Sequence, residues 1–152
     1  MENPPEDPDL IQGGVPPAGP RNTALILVVD RDPHVRELEA YFLQEAGHQV
    51  EFAEDGVRAL DLVRDLSPDI LITEILVPEL DGLALCRAIK QDPATARTAV
   101  LVFSILAAAH RAREAGADAF LLKPLSEQKL TEVVRDLLDA RHHQGKGKGS
   151  DA

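Results

Sequence analysis

Five short apolar runs recur along the middle of the chain, and each is followed by a stretch with helical spacing of its apolar residues. Each run has the length of a strand, four to six residues, and they span 24–29, 49–53, 69–73, 99–103 and 119–122. Strands that alternate with helices through short connections form parallel sheets with helices on both faces. The alternation therefore predicts an α/β fold with a five-stranded, doubly wound parallel sheet.

The first helix is predicted from a starting signal and a stripe of apolar residues. Asp32 is the candidate N-cap, because the following Pro33 suits the first position of a helix. Gly47 is expected to end the helix. The apolar positions that we expect to face the sheet are Val35, Leu38, Phe42 and Ala46.

Composition points to one domain with an aliphatic core. A length of 152 residues is typical of a single domain, and a content of 44% hydrophobic residues is enough to build its core. Aromatic residues make up only 3% and Trp is absent, so Leu, Val, Ile and Ala must fill that core. Cys86 is the single cysteine, which excludes an intrachain disulfide, and we expect it to be buried and inert.

The two ends of the chain differ in composition from the middle. Residues 1–22 hold six of the eleven prolines and are predicted to be a disordered, Pro-rich arm. Residues 142–152 are rich in Gly and Lys and are predicted to be a disordered tail. The folded domain is expected to span residues 23–141.

Charge and hydropathy exclude several classes of partner. The net charge of −10 disfavours nucleic-acid binding, which needs basic surface to neutralise phosphates. No apolar run approaches the roughly 20 residues that span a bilayer. The acidic start of the chain lacks the features of a signal peptide. We expect a cytoplasmic protein without nucleic-acid or membrane partners.

Polar residues follow the predicted strands, where parallel sheets place their ligand sites. Carboxylates at this edge can bind Mg²⁺, and one can accept a phosphoryl group to form an acyl phosphate. A lysine and a hydroxyl can grip the phosphoryl oxygens. The candidate site residues are Asp30, Arg31, Glu74, Ser104 and Lys123.

Residues 24 to about 140 resemble a receiver domain of the bacterial response-regulator family. Asp30 matches the first acidic residue after the first strand, and Ser104 matches the switch Ser or Thr after the fourth. The run "PELDG" (78–82) matches the Pro-x-x-Asp-Gly turn of the family, and "EAGADAFLLKP" (114–124) matches the run into its Lys-Pro pair. The resemblance implies a flavodoxin-like (βα)5 fold with strand order 2-1-3-4-5.

The resemblance also implies roles for residues near the end of the domain. Lys123 would grip the phosphoryl group, and the peptide bond before Pro124 would be cis. Phe120 falls where the family often has an aromatic that rotates on activation, and plain core packing is the equal alternative. The usual partner face is the fourth helix, fifth strand and fifth helix, which carries Arg111, Arg113, Glu114 and Lys129.

Two departures from the family fall at the reacting centre. The phosphoryl-accepting position carries Glu74 instead of Asp, and the additional methylene group of Glu displaces the carboxylate. A displacement of a reacting group by about 1 Å can slow a positioned reaction roughly a hundredfold. Arg31 replaces an acidic residue that would ligate the metal. We expect Arg31 and Glu74 to form an ion pair, with Lys123 as a second partner of Glu74.

We interpret the chain as a pseudo-receiver, which is a signalling module and not an enzyme. We expect it to need no cofactor and no metal ion. If a metal ion does bind, Asp30 is the one candidate ligand. Its partner would be a sensor histidine kinase or an output protein. We expect that output to lie in a separate protein, since the chain ends soon after the fifth helix. The main alternative is a working phosphoacceptor that uses Glu74 and Mg²⁺ and is phosphorylated by a histidine kinase. A metal-dependent hydrolase and a nucleic-acid binder acting through the "KGKG" tail are more remote.

Overall fold

A computed structural model describes the backbone of residues 23–151 and the side chains of residues 23–141. Within that part of the chain, five strands alternate with five helices. The strands are β1 (Leu25–Val29), β2 (Gln49–Ala53), β3 (Ile70–Thr73), β4 (Ala99–Ser104) and β5 (Ala119–Leu122). The helices are α1 (Pro33–Glu45), α2 (Gly56–Leu66), α3 (Gly82–Gln91), α4 (Ala109–Glu114) and α5 (Glu127–Asp151).

All neighbouring strands are parallel, and their order across the sheet is β2-β1-β3-β4-β5. The predicted α/β class and the strand order 2-1-3-4-5 are therefore confirmed. The three central strands, β1, β3 and β4, are the most deeply buried, as expected for a sheet covered by helices on both faces.

Aliphatic side chains form two core layers, one on each face of the sheet. One layer packs α2, α3 and α4 against the sheet, and the other packs α1 and α5. Phe103 is the largest fully buried side chain, and the rest of the core is mainly Leu, Ile, Val and Ala. Each fully buried side chain of this size stabilises the fold by about 1.5–3 kcal/mol.

Local signals set the ends of the helices as the sequence predicts. Asp32 caps α1 by accepting a hydrogen bond from the backbone N–H of His34, and Pro33 occupies the first turn. Gly47 follows α1 with a positive φ of 99°, a conformation that costs glycine little.

The buried face of α1 differs from the predicted stripe. Leu38 is 46% exposed, whereas Glu39, Ala40 and Leu43 are buried. An acidic residue therefore occupies a core position of this helix. A stripe read from apolar residues alone cannot find this orientation, because Glu39 counts as polar and is left out.

Predictions were also made for the two ends of the chain. The predicted arm, residues 1–22, lies outside the described residues. The backbone of α5 runs to Asp151, and the predicted disorder of residues 142–152 stays a prediction.

Candidate functional site

The register of the sheet brings four predicted residues together. Asp30 and Glu74 directly follow β1 and β3, which are paired so that Val29 lies beside Thr73. Ser104 ends β4, and its carbonyl oxygen accepts a hydrogen bond from the backbone N–H of Lys123 at 2.8 Å. The carboxyl edge of the sheet therefore gathers two carboxylates, a hydroxyl and an ammonium group. We call Asp30, Glu74, Ser104 and Lys123 the edge cluster.

Lys123 joins the two carboxylates of the edge cluster. Its Nζ lies 2.7 Å from Oδ2 of Asp30 and 3.1 Å from Oε2 of Glu74. All three side chains are largely shielded from water: 14% of Lys123, 3% of Asp30 and 5% of Glu74 remain exposed. Charges this deep are poorly screened, so removal of one partner would leave an uncompensated buried charge.

Every oxygen of the Glu74 carboxylate has donors within reach. Oε1 accepts hydrogen bonds from the Ser104 hydroxyl, from the backbone N–H of Ile75 at 2.6 Å and from that of Leu76 at 3.4 Å. Oε2 accepts from the backbone N–H of Ile105 at 3.2 Å and from Lys123. The carboxylate is therefore held by neutral and charged donors from three successive strand ends.

These contacts decide the ionisation of the edge cluster. Burial alone would raise the pKa of Glu74, but hydrogen bonds from Ser104, Lys123 and Ile75 outweigh it, and the net pKa is lowered. Burial alone would lower the pKa of Lys123, but Asp30 and Glu74 outweigh it, and the net pKa is raised. Both groups are thus kept charged at neutral pH.

Arg31 is not part of the edge cluster, and the predicted ion pair with Glu74 is wrong. Its side chain is exposed, and within residues 23–141 no ion pair joins it to Glu74. Asp30 turns inwards and also accepts a hydrogen bond from the backbone N–H of Asp32. Consecutive side chains of an extended segment point in opposite directions, so the inward turn of Asp30 directs Arg31 into solvent.

The receiver resemblance implies Mg²⁺, and the donors at this edge do not fit it. Oδ2 of Asp30 already binds Lys123, both oxygens of Glu74 have donors, and Arg31 supplies a cation in place of a third carboxylate. Within the described part of the chain, no three His, Cys, Asp or Glu side chains are grouped to hold a metal ion. A hard divalent ion needs several free oxygen ligands, which this arrangement lacks.

Two further residues of the receiver pattern lie close by. The peptide bond between Lys123 and Pro124 is cis, as the resemblance implies. Phe120 is half-buried and packs against the core layer under α3 and α4. Its packing is compatible with both of the roles that the sequence leaves open.

Glu39 is the residue near this site that the sequence interpretation missed. It is 1% exposed, and its Oε1 has no hydrogen-bond partner among the described residues. Burial, with the negative charge of nearby Asp30 as the next cause, raises its pKa to about 8. Its spacing was the available signal, since Val35, Glu39 and Leu43 lie four residues apart and share one face of α1.

Cys86 is buried, as predicted, and its Sγ donates to the carbonyl oxygen of Ala115 at 3.4 Å. Burial raises the pKa of the thiol to about 11, which keeps it protonated and poorly nucleophilic. The residues predicted for a partner face, Arg111, Arg113, Glu114 and Lys129, are all exposed on α4 and α5.

Comparison with known families agrees with this architecture. The family model described as "Response regulator receiver domain" matches residues 26–135. The chain therefore belongs to the receiver domain family of two-component signalling.

Named relatives and a solved structure support the assignment. The chain is 39% identical over 114 residues to response regulator MprA of Mycobacterium sp. (strain KMS), covering 74% of this chain and 50% of that protein. It is 32% identical to the DNA-binding dual master transcriptional regulator RpaA of Synechocystis, over 74% of this chain and 48% of that protein. The receiver domain of a signal transduction histidine kinase from Syntrophus aciditrophicus superimposes with a TM-score of 0.73 at 34% identity, covering 77% of this chain and 91% of that one.

The two regulators are longer than this chain, so their functions as whole proteins cannot be assigned to it. The chain spans about half the length of these two regulators. One of them is named as a DNA-binding regulator, which conflicts in part with the expectation that this chain has no nucleic-acid partner. Among the helices of the described residues, none is both long and apolar enough to cross a membrane.

Proposed function

We propose that this chain is an atypical receiver, which signals through protein contacts and does not take up a phosphoryl group at position 74. The main observation behind the proposal is that both carboxylate oxygens of Glu74 already accept hydrogen bonds. The Ser104 hydroxyl and the Lys123 ammonium group, which the family resemblance assigns to the phosphoryl group, both contact Glu74 directly. The groups that would recognise a phosphoryl group are therefore already engaged.

The charge of the edge cluster supports the same conclusion. The lowered pKa of Glu74 keeps its carboxylate ionised at neutral pH, so a negative charge faces Lys123 and Ser104. A phosphorylated side chain would place roughly two negative charges near the same partners. Glu74 thus imitates that state in position and sign, with about half of the charge.

The second support is the poor fit to a divalent cation. Phosphoryl transfer relies on a metal ion to neutralise charge on the transferring group. Asp30 is bound to Lys123, and Arg31 places an exposed positive charge one residue away. Both features oppose a cation at this edge, and they oppose the alternative of a working phosphoacceptor.

Output would pass to a protein partner in the cytoplasm, a sensor histidine kinase or a downstream protein. The face formed by α4, β5 and α5 is the proposed contact surface, because it combines exposed charges with an exposed apolar residue. Arg111, Arg113 and Lys129 carry the positive charge, and Leu122 at the end of β5 is 52% exposed. A partner with an acidic, partly apolar surface fits this composition.

The test is the intact mass of the protein after incubation with Mg²⁺ and acetyl phosphate. Wild type is compared with the double variant Glu74→Asp, Arg31→Asp, which restores both family residues. We expect a phosphoryl group on the double variant alone.

The other outcomes are also informative. Stoichiometric phosphorylation of wild type at Glu74 would overturn the proposal in favour of a working switch. If neither protein gains mass, wild type is inert as proposed, but its inertness has causes beyond these two residues.

A further inference from the structure

Three segments of the chain meet at the amino edge of the sheet, at the other end of the strands from the edge cluster. Ala24, His48 and Asp69 directly precede β1, β2 and β3, which are neighbours in the sheet. The register pairs the first residues of these strands with one another. The three preceding residues therefore lie close together, and two of them hold the start of β1 with their side chains.

His48 accepts a hydrogen bond from the chain where it enters β1. The backbone N–H of Ala24 lies 3.1 Å from Nδ1 of His48. A backbone N–H can only donate, so Nδ1 is unprotonated and the neutral ring carries its proton on Nε2. An imidazolium ring has a proton on both nitrogens and cannot accept this bond. The contact therefore exists only while His48 is neutral.

Asp69 holds the next residue of the chain and also contacts α5. Its Oδ2 accepts a hydrogen bond from the backbone N–H of Leu25 at 2.8 Å. Its Oδ1 lies 3.2 Å from Nη1 of Arg141, which also donates to the carbonyl oxygen of Asp69 at 2.6 Å. Asp69 thus joins the start of β1 to α5. We call His48, Asp69 and Arg141 the amino-edge latch.

The latch lies within reach of solvent protons. His48 is half-buried, while 28% of the Arg141 side chain and 41% of the Asp69 side chain remain exposed. The charged groups around His48 are Asp69, Arg141 beyond it, and the exposed Glu45 in the last turn of α1. Of these, Asp69 is the one that acts on the ionisation of His48.

One ring nitrogen decides whether the latch is closed. A proton taken from solvent onto the lone pair of Nδ1 removes the acceptor of the Ala24 N–H. The new positive charge also competes with Arg141 for the carboxylate of Asp69. We propose that His48 is a proton-operated switch of the amino edge: the neutral ring holds the start of β1 closed, and the imidazolium releases it.

The direction of the pH dependence follows from the surroundings of the ring. Burial, the larger cause, lowers the pKa of His48 below its ordinary value of 6.5, and Asp69 opposes this effect. A locally opened chain takes up the proton near pH 6.5, whereas the closed latch takes it up only at lower pH. The closed form is therefore fully stabilised above pH 6.5 and loses stability as the pH falls below that value.

The first test follows the His48 ring and the Ala24 amide by NMR in the ¹⁵N-labelled full chain. We expect neutral His48 to carry its proton on Nε2, which the ¹⁵N shifts of the ring report directly. We also expect the Ala24 amide signal to shift with the same midpoint as the ring, because both report one protonation.

Hydrogen exchange measures the opening itself. The protection factor of the Ala24 amide should fall at least about threefold between about pH 7.5 and about pH 5. In His48→Asn, the amide oxygen replaces Nδ1 as acceptor and takes no proton, so the same factor should change less than about 1.5-fold. His110→Asn removes an exposed histidine of α4 and should keep the wild-type profile.

A further variant tests the competition for Asp69. Arg141→Gln removes the cation that holds the Asp69 carboxylate, which leaves that carboxylate available to the imidazolium. The midpoint of the His48 titration should therefore rise by at least about 0.3 pH units. Arg135→Gln, an exposed change on the same helix, should leave the midpoint where it is.

The proposal is overturned if neutral His48 carries its proton on Nδ1, if the Ala24 amide does not follow the titration of the ring, or if His48→Asn loses protection at low pH as wild type does. An unchanged midpoint in Arg141→Gln would overturn the competition for Asp69. None of these measurements involves position 74 or phosphorylation, so their failure is distinguishable from failure of the proposed function.

Discussion

Two buried glutamates on this domain have opposite properties. Glu74, directly after β3, is 4% exposed and has its pKa lowered, whereas Glu39, on the buried face of α1, is 1% exposed and has its pKa raised to about 8. Glu74 has donors at both oxygens, while Oε1 of Glu39 has no partner among the described residues. Burial alone therefore does not decide ionisation, and the supply of donors does.

The largest expected effect comes from removing the positive charge of Lys123, which pairs with both Asp30 and Glu74. Lys123→Met leaves Asp30 and Glu74 as two buried carboxylates without a counter-ion. We expect the free energy of unfolding at pH 7 to fall by about 3–5 kcal/mol, measured by urea denaturation. Lys129→Met, an exposed change on α5, is the control. A loss below about 1 kcal/mol, the value of an exposed pair, would contradict this reading.

Replacing the unpartnered glutamate should have the opposite sign. Glu39→Leu removes a buried group without a hydrogen-bond partner, and we expect a gain of about 1–3 kcal/mol in the free energy of unfolding at pH 8. Glu37→Leu, on the exposed side of the same helix, should change it by less than about 0.5 kcal/mol. Destabilisation by Glu39→Leu would mean that the carboxyl group has a partner in solution.

The pH dependence of stability separates the two glutamates. The raised pKa of Glu39 means that the folded state holds a proton which the unfolded chain releases near pH 4.5, so stability should fall as pH rises from about 4.5 to about 8. The lowered pKa of Glu74 contributes stability above pH 4.5 that is lost as pH falls through the folded value. Glu39→Gln should remove the first slope, at most about 1.4 kcal/mol per pH unit, in urea denaturation from pH 5 to 8.

A smaller effect is expected from one donor of Glu74. Ser104→Ala removes a hydroxyl that donates to Oε1, but the backbone N–H of Ile75 remains. We expect a loss of about 1 kcal/mol and a rise in the pKa of Glu74, followed by NMR titration of its side-chain carboxyl carbon. Ser104→Thr keeps the hydroxyl and should behave like wild type. Equal losses in both variants would point to packing instead of the hydrogen bond.

The smallest effect is expected at Arg31. Because this side chain is exposed and does not pair with Glu74, Arg31→Ala should change the free energy of unfolding by less than about 0.5 kcal/mol. Thermal denaturation monitored by circular dichroism would measure it. A loss above about 1.5 kcal/mol in the free energy of unfolding would support the ion pair between Arg31 and Glu74 that the structure does not show.

The fold could be predicted because its signals are local and repeated. Each strand is a short apolar run, and Asp32, Pro33 and Gly47 delimit α1 by backbone chemistry that depends on few neighbours. The gathering of Asp30, Glu74, Ser104 and Lys123 also followed, because parallel strands end at one edge.

The misses depend on side-chain direction. Arg31 was expected inside the site because of its position, but it points away from a neighbour that turns inwards. Glu39 was overlooked because polar residues of α1 were assumed to lie on its exposed face. The direction of Arg31 depends on three-dimensional packing, which residue type and spacing do not encode. The position of Glu39 was available from its spacing to Val35 and Leu43, but only if a polar residue is allowed on the buried face.

The closed set of contacts around Glu74 has a consequence for how such a domain could carry information. A switch that is set by modification can change its output while its concentration stays constant. A domain held in one charge state has no such control, and its occupancy of a partner depends on its own abundance relative to the dissociation constant. Under the proposed function, synthesis and degradation of the chain would set the strength of the signal.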